Sequence, residues 1–278
     1  MRAGVVSRTD NDEALELTLR IIDYLESIGV DTEVETDTAL ALELKDHNTN
    51  LQDLDGDFVI TVGGDGTILR AAMEMKTAST PIFGINMGRR GFLSEVPPEG
   101  IEAAIQRVLD GDYFIEESIK VKSWAQGVND VFPDALNEVL IASRLPSKML
   151  LMRLSVDDEF ITDIQADGAI ISSPAGSTAY NMSAGGSVIA PNMKALSLTV
   201  ICPYSYFRSL VIPSTSTVKV ELLKPQTDAI AIIDGRSYIA LKPQSVVEAT
   251  VSPNCTRFIR FKPFYSRIQR RLMHLQTS

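Results

Sequence analysis

The residues Gly63-Gly64-Asp65-Gly66-Thr67 set one carboxylate among three glycines. Glycines leave backbone N–H groups open to an anion, and a helix starting there adds a positive dipole end. Phosphate is the natural guest of such a turn, with Gly63, Gly64, Gly66 and Thr67 supplying the approach. Asp65 is the odd member, because a carboxylate repels phosphate. It makes sense facing a hydroxyl to be phosphorylated, or a metal ion bridging to phosphate. A tight turn closed by an Asx hydrogen bond accounts for the same five residues.

A second group lies in DGAIISSPAGSTAYNMSAGG, residues 167–186. It offers the hydroxyls of Ser177, Thr178 and Ser183, the Asn181 amide and the Tyr180 ring within one turn-to-helix segment. That set can grip a ribose and a base while backbone donors hold phosphates. A Ser/Gly loop with Tyr180 as a packing residue is the plainer alternative. A third group is Asn137-Glu138 in ALNEVLI. A carboxylate between Leu136 and Val139–Ile141 is costly to bury without a partner. Taken singly, Arg70 reads as a surface helix residue and Lys148 as a solvated loop residue. His47 and His274 stand outside every motif.

The elements that must carry these groups differ between the two halves. AGVVS (3–7) and DFVITV (57–62) read as buried strands, DTEVET as a weaker one, and PIFGINMG (81–88) as a strand and turn. Residues 12–28 read as a helix with Leu15, Leu19 and Ile22 on its face, widened by Ala14, Ile21, Leu25 and Ile28. Asp10 with Glu13 resembles a capping box, and Gly29 marks the end. TILRAAMEMK (67–76) and EGIEAAIQRVLDG (99–111) read as further helices. Strand and helix alternating in this way predict a parallel sheet covered by helices. After residue 117 short β-rich runs follow, among them MLLMRLSVDD, EFITDIQADGAIISSP, SLTVICPYS, VKVELLK, DAIAIIDGR and SVVEATVS. Separated by Pro, Gly, Asp or Ser, they predict antiparallel sheets packed as a sandwich. The fold class expected is therefore α/β, a Rossmann-like parallel-sheet domain followed by an all-β sandwich domain. A site is expected in the crevice between the two.

Bulk properties narrow the function. At 278 residues the chain suits two domains, and 45% hydrophobic with 22% charged residues is ordinary for a globular protein. A net charge of −10 argues against a non-specific nucleic-acid binder. No 18-residue apolar run suggests a membrane span, and MRAGVVSRTD lacks the apolar length of a signal peptide. The two cysteines, Cys202 and Cys255, form no disulfide framework or metal spacing, so a reducing cytoplasm is the expected home. Residues 1–117 hold 9 Lys+Arg against 24 Asp+Glu, a net of −15, and residues 118–278 hold 17 against 12, a net of +5. The boundary falls near GDYFIEES. Residues 257–271 carry six basic and no acidic residues. They read either as a solvated tail or as a segment packing back on the acidic first half.

GGDGT is shared by NAD kinases, diacylglycerol and sphingosine kinases and, in similar form, phosphofructokinases. Alone it leaves the acceptor open, so a lipid or sugar kinase stands beside a nucleotide kinase. DGAIISSPAGSTAYN chooses among them: the chain resembles the NAD kinase family. ALNEVLI (135–141), GINMGRRGFLSEV (84–96) and IIDGR (232–236) follow that family's order and spacing. The resemblance implies domains at 1–117 and 118–254, with a C-terminal segment 255–278 returning to the first. It implies Asp65 as proton acceptor, with Gly66 and Arg70 in the nucleotide site. It further implies Asn137, Glu138, Lys148 and Asp167 as dinucleotide contacts, Ala175 and Thr178, Ala179, Tyr180, Asn181, Met182 and Ser183 as the lining of the adenosine pockets, and Arg236 as a further contact. Gln165 stands where many members carry Arg or His. It can hydrogen-bond but cannot neutralise phosphate, which bears on substrate grip and on the choice of NAD or NADH. The implied reaction moves a phosphoryl group from ATP or polyphosphate, with Mg²⁺ or another divalent cation, to the 2′-hydroxyl of the adenosine ribose of NAD. A homodimer or homotetramer and no dedicated protein metal site are expected. A catalytically idle dinucleotide sensor is the rival outside enzymes, and it would not need Asp65.

Overall fold

A computed structural model describes residues 1–44, 48–77, 79–88, 91–145, 148–224 and 228–274. The chain divides into two compact units, Met1–Glu117 with Thr256–Ser278, and Ser118–Cys255.

In the first unit β1 (Arg2–Ser7), α1 (Asp12–Ser27), β2 (Asp31–Glu35), α2 (Thr36–Ala41), β3 (Asn48–Thr49), β4 (Phe58–Gly63), α3 (Asp65–Glu74), β5 (Ile82–Asn86) and α4 (Ile101–Leu109) follow in turn. The strands pair in parallel in the order β3-β2-β1-β4-β5. Every residue of β4 is buried, as expected for a parallel strand covered on both faces. Sheet order reverses direction between β1 and β4, and ligands of such sheets bind beyond the carboxyl ends at that point. The Gly63–Thr67 turn leaves β4 there.

α1 begins later than Asp10 suggests. Asn11 is the cap, its Oδ1 accepting from Ala14 N–H at 2.8 Å, because Asp10 is drawn off by Arg8, whose Nε donates to it at 2.5 Å. The buried stripe is Ala14, Leu17, Thr18, Ile21, Ile22 and Leu25, while Leu19 and Ile28 face outward. Leu19 lies off the i, i+3/4, i+7 row that runs Ala14, Leu17/Thr18, Ile21 and Leu25, and Ile28 follows the helix as its C-cap. α3 begins at Asp65, two residues before the expected start, so Asp65 and Gly66 belong to its first turn and Gly64 is its cap. α2 is an additional element that apolar spacing does not reveal.

The chain passes to the second unit along β6 (Phe114–Ala125) and returns along β16 (Val246–Arg260), ending in α6 (Phe264–His274). In between lie β7 (Glu138–Ser143), β8 (Leu150–Val156), β9 (Glu159–Ala166), β10 (Gly168–Ser172), α5 (Tyr180–Ser183), β11 (Ala195–Ile201), β12 (Ser209–Pro213), β13 (Val218–Leu222), β14 (Ala229–Ile233) and β15 (Ser237–Leu241). One antiparallel sheet runs β12-β11-β10-β7-β14-β15, and β16, β13, β8 and β9 pair antiparallel in the sheet that also contains β5. EFITDIQADGAIISSP is therefore two strands in two sheets, divided at Asp167. β8 and β14 alternate buried and half-buried residues, the pattern of a sheet with one face in a core.

The end of β16 belongs to the first unit. Phe258 pairs in parallel with Ile82, Ile259 joins the core of Val5, Phe58, Ile60 and Phe83, and the Phe261 ring meets Phe83 edge-on at 5.6 Å.

Candidate active site

Asp65 is half-buried at the start of α3. Its Oδ2 accepts the Phe92 N–H at 2.7 Å and its Oδ1 the Leu93 N–H at 3.1 Å. These donors come from the segment after the second glycine turn, whose Arg89 and Arg90 lie outside the described residues. A Cβ on Gly91 would stand 2.9 Å from Asp65 Oδ1 and 2.6 Å from Ser94 Oγ, so a larger residue there would displace the carboxylate or the serine hydroxyl. A Cβ on Gly64 or Gly66 would meet nothing within 4 Å. Packing does not require those two glycines, and the space beside them is open to a ligand. α3 starts beside that space, and a helix N-terminus carries the positive end of the dipole.

Arg70, one turn on, is engaged elsewhere. Its guanidinium donates to both Glu35 oxygens at 2.8 and 3.3 Å, to Asp37 at 3.3 Å and to the Ser7 carbonyl at 3.3 Å. Burial alone would raise the Glu35 carboxyl, but hydrogen bonds from Arg70 and Thr38 outweigh it and hold Glu35 below the usual range.

The second unit gathers another cluster. The β7–β10 and β7–β14 registers set Glu138 opposite Ser172 and Val139 opposite Ile233, bringing the ends of three strands to Asn137-Glu138. Asp234, in left-handed backbone at φ 49° after β14, receives the N–H groups of Leu136, Asn137 and Glu138 at 2.7, 2.8 and 2.9 Å. Three consecutive amides on one carboxylate form a rigid cradle. From the other side Ser173 donates its N–H to the Asn137 carbonyl at 2.9 Å and its hydroxyl to the Leu136 carbonyl at 2.5 Å. Gly176 lies against the Asn137 carbonyl, where any Cβ would collide. The main chain at Asn137-Glu138 is thus fixed, while Asn137 Oδ1 and Glu138 Oε2 are buried without a partner among the described residues. Burial raises the Glu138 carboxyl to about 8, and the Asp234 charge adds to the rise. Burial also raises Asp234, against the three amides and the nearby Lys120. Orphaned buried polar atoms on a fixed backbone suit a polar ligand.

The segment after β10 splits into two sets. Ser177 and Asn181 are fully buried and serve the fold. The Ser177 hydroxyl donates to the Pro174 carbonyl at 2.6 Å and accepts the Ile189 N–H at 2.9 Å. The Asn181 amide donates to the Ser177 and Ser187 carbonyls and accepts from the Thr199 hydroxyl at 2.6 Å. Thr178 turns its hydroxyl to the Ala175 carbonyl at 3.0 Å. Tyr180 and Ser183 are exposed, with Ala175, Ala179 and Met182 half-buried beside them. Gln165 and Asp167 are both exposed, two residues apart. Lys148 and Arg236 are exposed as well, Lys148 next to Pro146 and Ser147, which lie outside the described residues. Sequence patterns do not single out Asp234 or the Phe92 and Leu93 amides. IIDGR does place an aspartate directly before a turn glycine, the one signal that pointed there.

Two family models match the chain: the ATP-NAD kinase N-terminal domain over residues 3–113 and the ATP-NAD kinase C-terminal domain over residues 136–261. The chain is 38% identical over 276 residues to the NAD kinase of Methanothermobacter thermautotrophicus, covering 98% of this chain and 96% of that one. It is 39% identical over 264 residues to the NAD kinase of Thermococcus kodakarensis, covering 94% of each. Its structure is similar to that of an NAD kinase from Archaeoglobus fulgidus in complex with ATP, with a TM-score of 0.77, 30% identity and full coverage of both chains. It shares the fold of yeast NADH kinase at a TM-score of 0.85 and 23% identity, over 98% of this chain and 87% of that one.

Proposed function

The chain belongs to the ATP-NAD kinase family, and we propose how its residues divide the work of an NAD kinase. The terminal phosphoryl group of ATP passes to the 2′-hydroxyl of the adenosine ribose of NAD, giving NADP. Gly63, Gly64, Gly66 and Thr67, with the first turn of α3, receive donor phosphates. Asp65 orients the ribose hydroxyl for in-line attack and takes its proton. A ribose hydroxyl is a very weak acid, so the proton moves late, as the O–P bond forms. In a loose transition state, positioning and charge neutralisation carry most of the acceleration.

Asn137 and Glu138 hold the dinucleotide through their unpartnered side-chain atoms, on a backbone fixed by Asp234. Tyr180 supplies an aromatic face, and Ala175, Thr178, Ala179, Met182 and Ser183 shape the surface beside it. Ser177 and Asn181 keep that surface in place. Lys148, Gln165, Asp167 and Arg236 contribute exposed polar contacts. Arg70 acts through Glu35 by anchoring α3. The divalent cation arrives with the donor, bound chiefly by its phosphates, as is usual for Mg²⁺. Backbone N–H donors grip any phosphate chain, so polyphosphate is a second donor to test. We also infer a homodimer or homotetramer working in a reducing cytoplasm.

The observation that carries this reading is the Asp65 carboxylate, held by two amides at the open phosphate turn. Its test is NADP formation from NAD or NADH with Mg²⁺ and either ATP or polyphosphate, detected with an NADP-specific dehydrogenase. NADP above a blank with ATP is expected, and none with any donor would overturn the assignment.

A further inference from the structure

The segment that clamps Asp65 has little regular structure of its own; Glu95 and Val96 pair with the backbone of β5, and Leu93 is held from behind by the C-terminal strand. Leu93 faces two ways. Its N–H donates to Asp65 Oδ1 at 3.1 Å, and its carbonyl accepts from Arg260 Nη1 at 2.6 Å. Arg260 is the last residue of β16 and is 2% exposed. Its Nε donates to Glu116 Oε1 at 2.9 Å, and its Nη1 lies 3.3 Å from Glu95 Oε2. The other Glu95 oxygen accepts the Phe261 N–H at 2.8 Å, and Arg267 closes the network on Glu116. Glu95 lies two residues past Leu93, so the segment is tied to the C-terminal strand at two points.

Burying two arginines with two glutamates is a poor way to gain stability, since apolar residues of similar volume commonly do as well. What a guanidinium adds is geometry, because a planar fork reaches a carbonyl and two carboxylates in fixed directions. We propose that Arg260 is a positioning residue for Asp65, acting through Leu93, so that the returning C-terminal strand sets the direction of the carboxylate toward the ribose hydroxyl. This rests on Asp65 as the proton acceptor. A misplacement of about 1 Å can cost about 100-fold in rate. Because only the transition state depends on the carboxylate direction, the loss falls on kcat and leaves KM nearly unchanged.

The test is a double-mutant cycle in the full chain, pairing Arg260→Lys with Asp65→Asn. Lysine keeps the positive charge near Glu95 and Glu116 but not the fork. Arg260→Lys should lower kcat by about 10- to 100-fold, with KM for NAD and ATP within about threefold. In the Asp65→Asn background the same change should cost less than about twofold, because no carboxylate remains to be aimed. An equal loss in both backgrounds, a loss in KM alone, or unchanged turnover would overturn the proposal. Near-normal turnover by Asp65→Asn alone would instead remove Asp65 as the proton acceptor. If Arg260→Lys does not fold, Glu95→Gln takes its place in the cycle, since it keeps the shape of the tether and removes one charge. A kcat loss confined to the Asp65 background then supports the proposal, and an equal loss in both or none overturns it.

Discussion

Asp234 accepts the backbone N–H of Glu138 at 2.9 Å, and its charge adds to the burial that raises the Glu138 carboxyl to about 8. The folded chain therefore keeps a proton on Glu138 between its ordinary 4.5 and about 8, where the unfolded chain has lost it. The stabilisation is fully present below the unfolded value and is lost as pH rises through about 8. Glu138→Gln, which mimics the protonated form, should flatten the fall in stability over that window and gain most above it. Urea titrations at a series of pH values check this; an unchanged slope would contradict it.

Asp234→Asn tests the cradle. An asparagine offers one acceptor where the carboxylate serves three amides, and its NH₂ opposes the donors it should receive. The expected cost is about 3 kcal/mol of stability, since hydrogen bonds to charged groups are worth about 1.5–3 kcal/mol each and do not add. KM for NAD should rise with it, because the Asn137-Glu138 backbone loses its anchor. Denaturant midpoints and steady-state kinetics measure both effects.

Asn181 and Tyr180 are neighbours in the chain and should behave oppositely. Asn181→Ala removes the amide donor from the Ser177 and Ser187 carbonyls and one of the hydroxyl's bonds at Thr199, which keeps Ser209, a cost of about 2–3 kcal/mol. Tyr180→Ala removes a ring that is 43% exposed, so stability should change by less than about 0.5 kcal/mol. Its effect should appear as weaker NAD binding, read by calorimetry.

Arg70→Met leaves Glu35, 3% exposed at its side chain, without its cation. Losing one partner of a buried pair typically costs about 3–5 kcal/mol. The melting temperature should fall steeply, and Glu35→Gln in the same chain should recover part of it. A large rise in KM for ATP at unchanged stability would instead put Arg70 on the ligand.

What was legible in the sequence was local. A buried strand, a glycine turn and a lone Asp65 are contiguous, so the pattern stands out without a fold. The alternation of strand and helix pointed to the first sheet, and the short β-rich runs to the second unit. α2 escaped because six residues are too few to show a period. β6 escaped because half of its residues are polar or charged. Backbone donors have no side-chain signature, so the Phe92 and Leu93 amides could not be read. Arg260 meets Leu93 across 167 residues and Asp234 meets Asn137 across 97, distances over which no spacing rule operates. Asn181 shows the reverse problem: an amide has the same letter whether it faces a ligand or the core.

The proposed chemistry turns on Asp65 taking the proton of the acceptor hydroxyl. The most direct measurement compares single-turnover NADP formation by the native chain and by Asp65→Asn at saturating NAD, ATP and Mg²⁺, with NAD affinity determined by calorimetry on both. The rate should be lower by several orders of magnitude in the variant, with NAD affinity within about threefold, as for an interaction made in the transition state alone. A rate within about tenfold of the native chain at equal affinity would contradict that role.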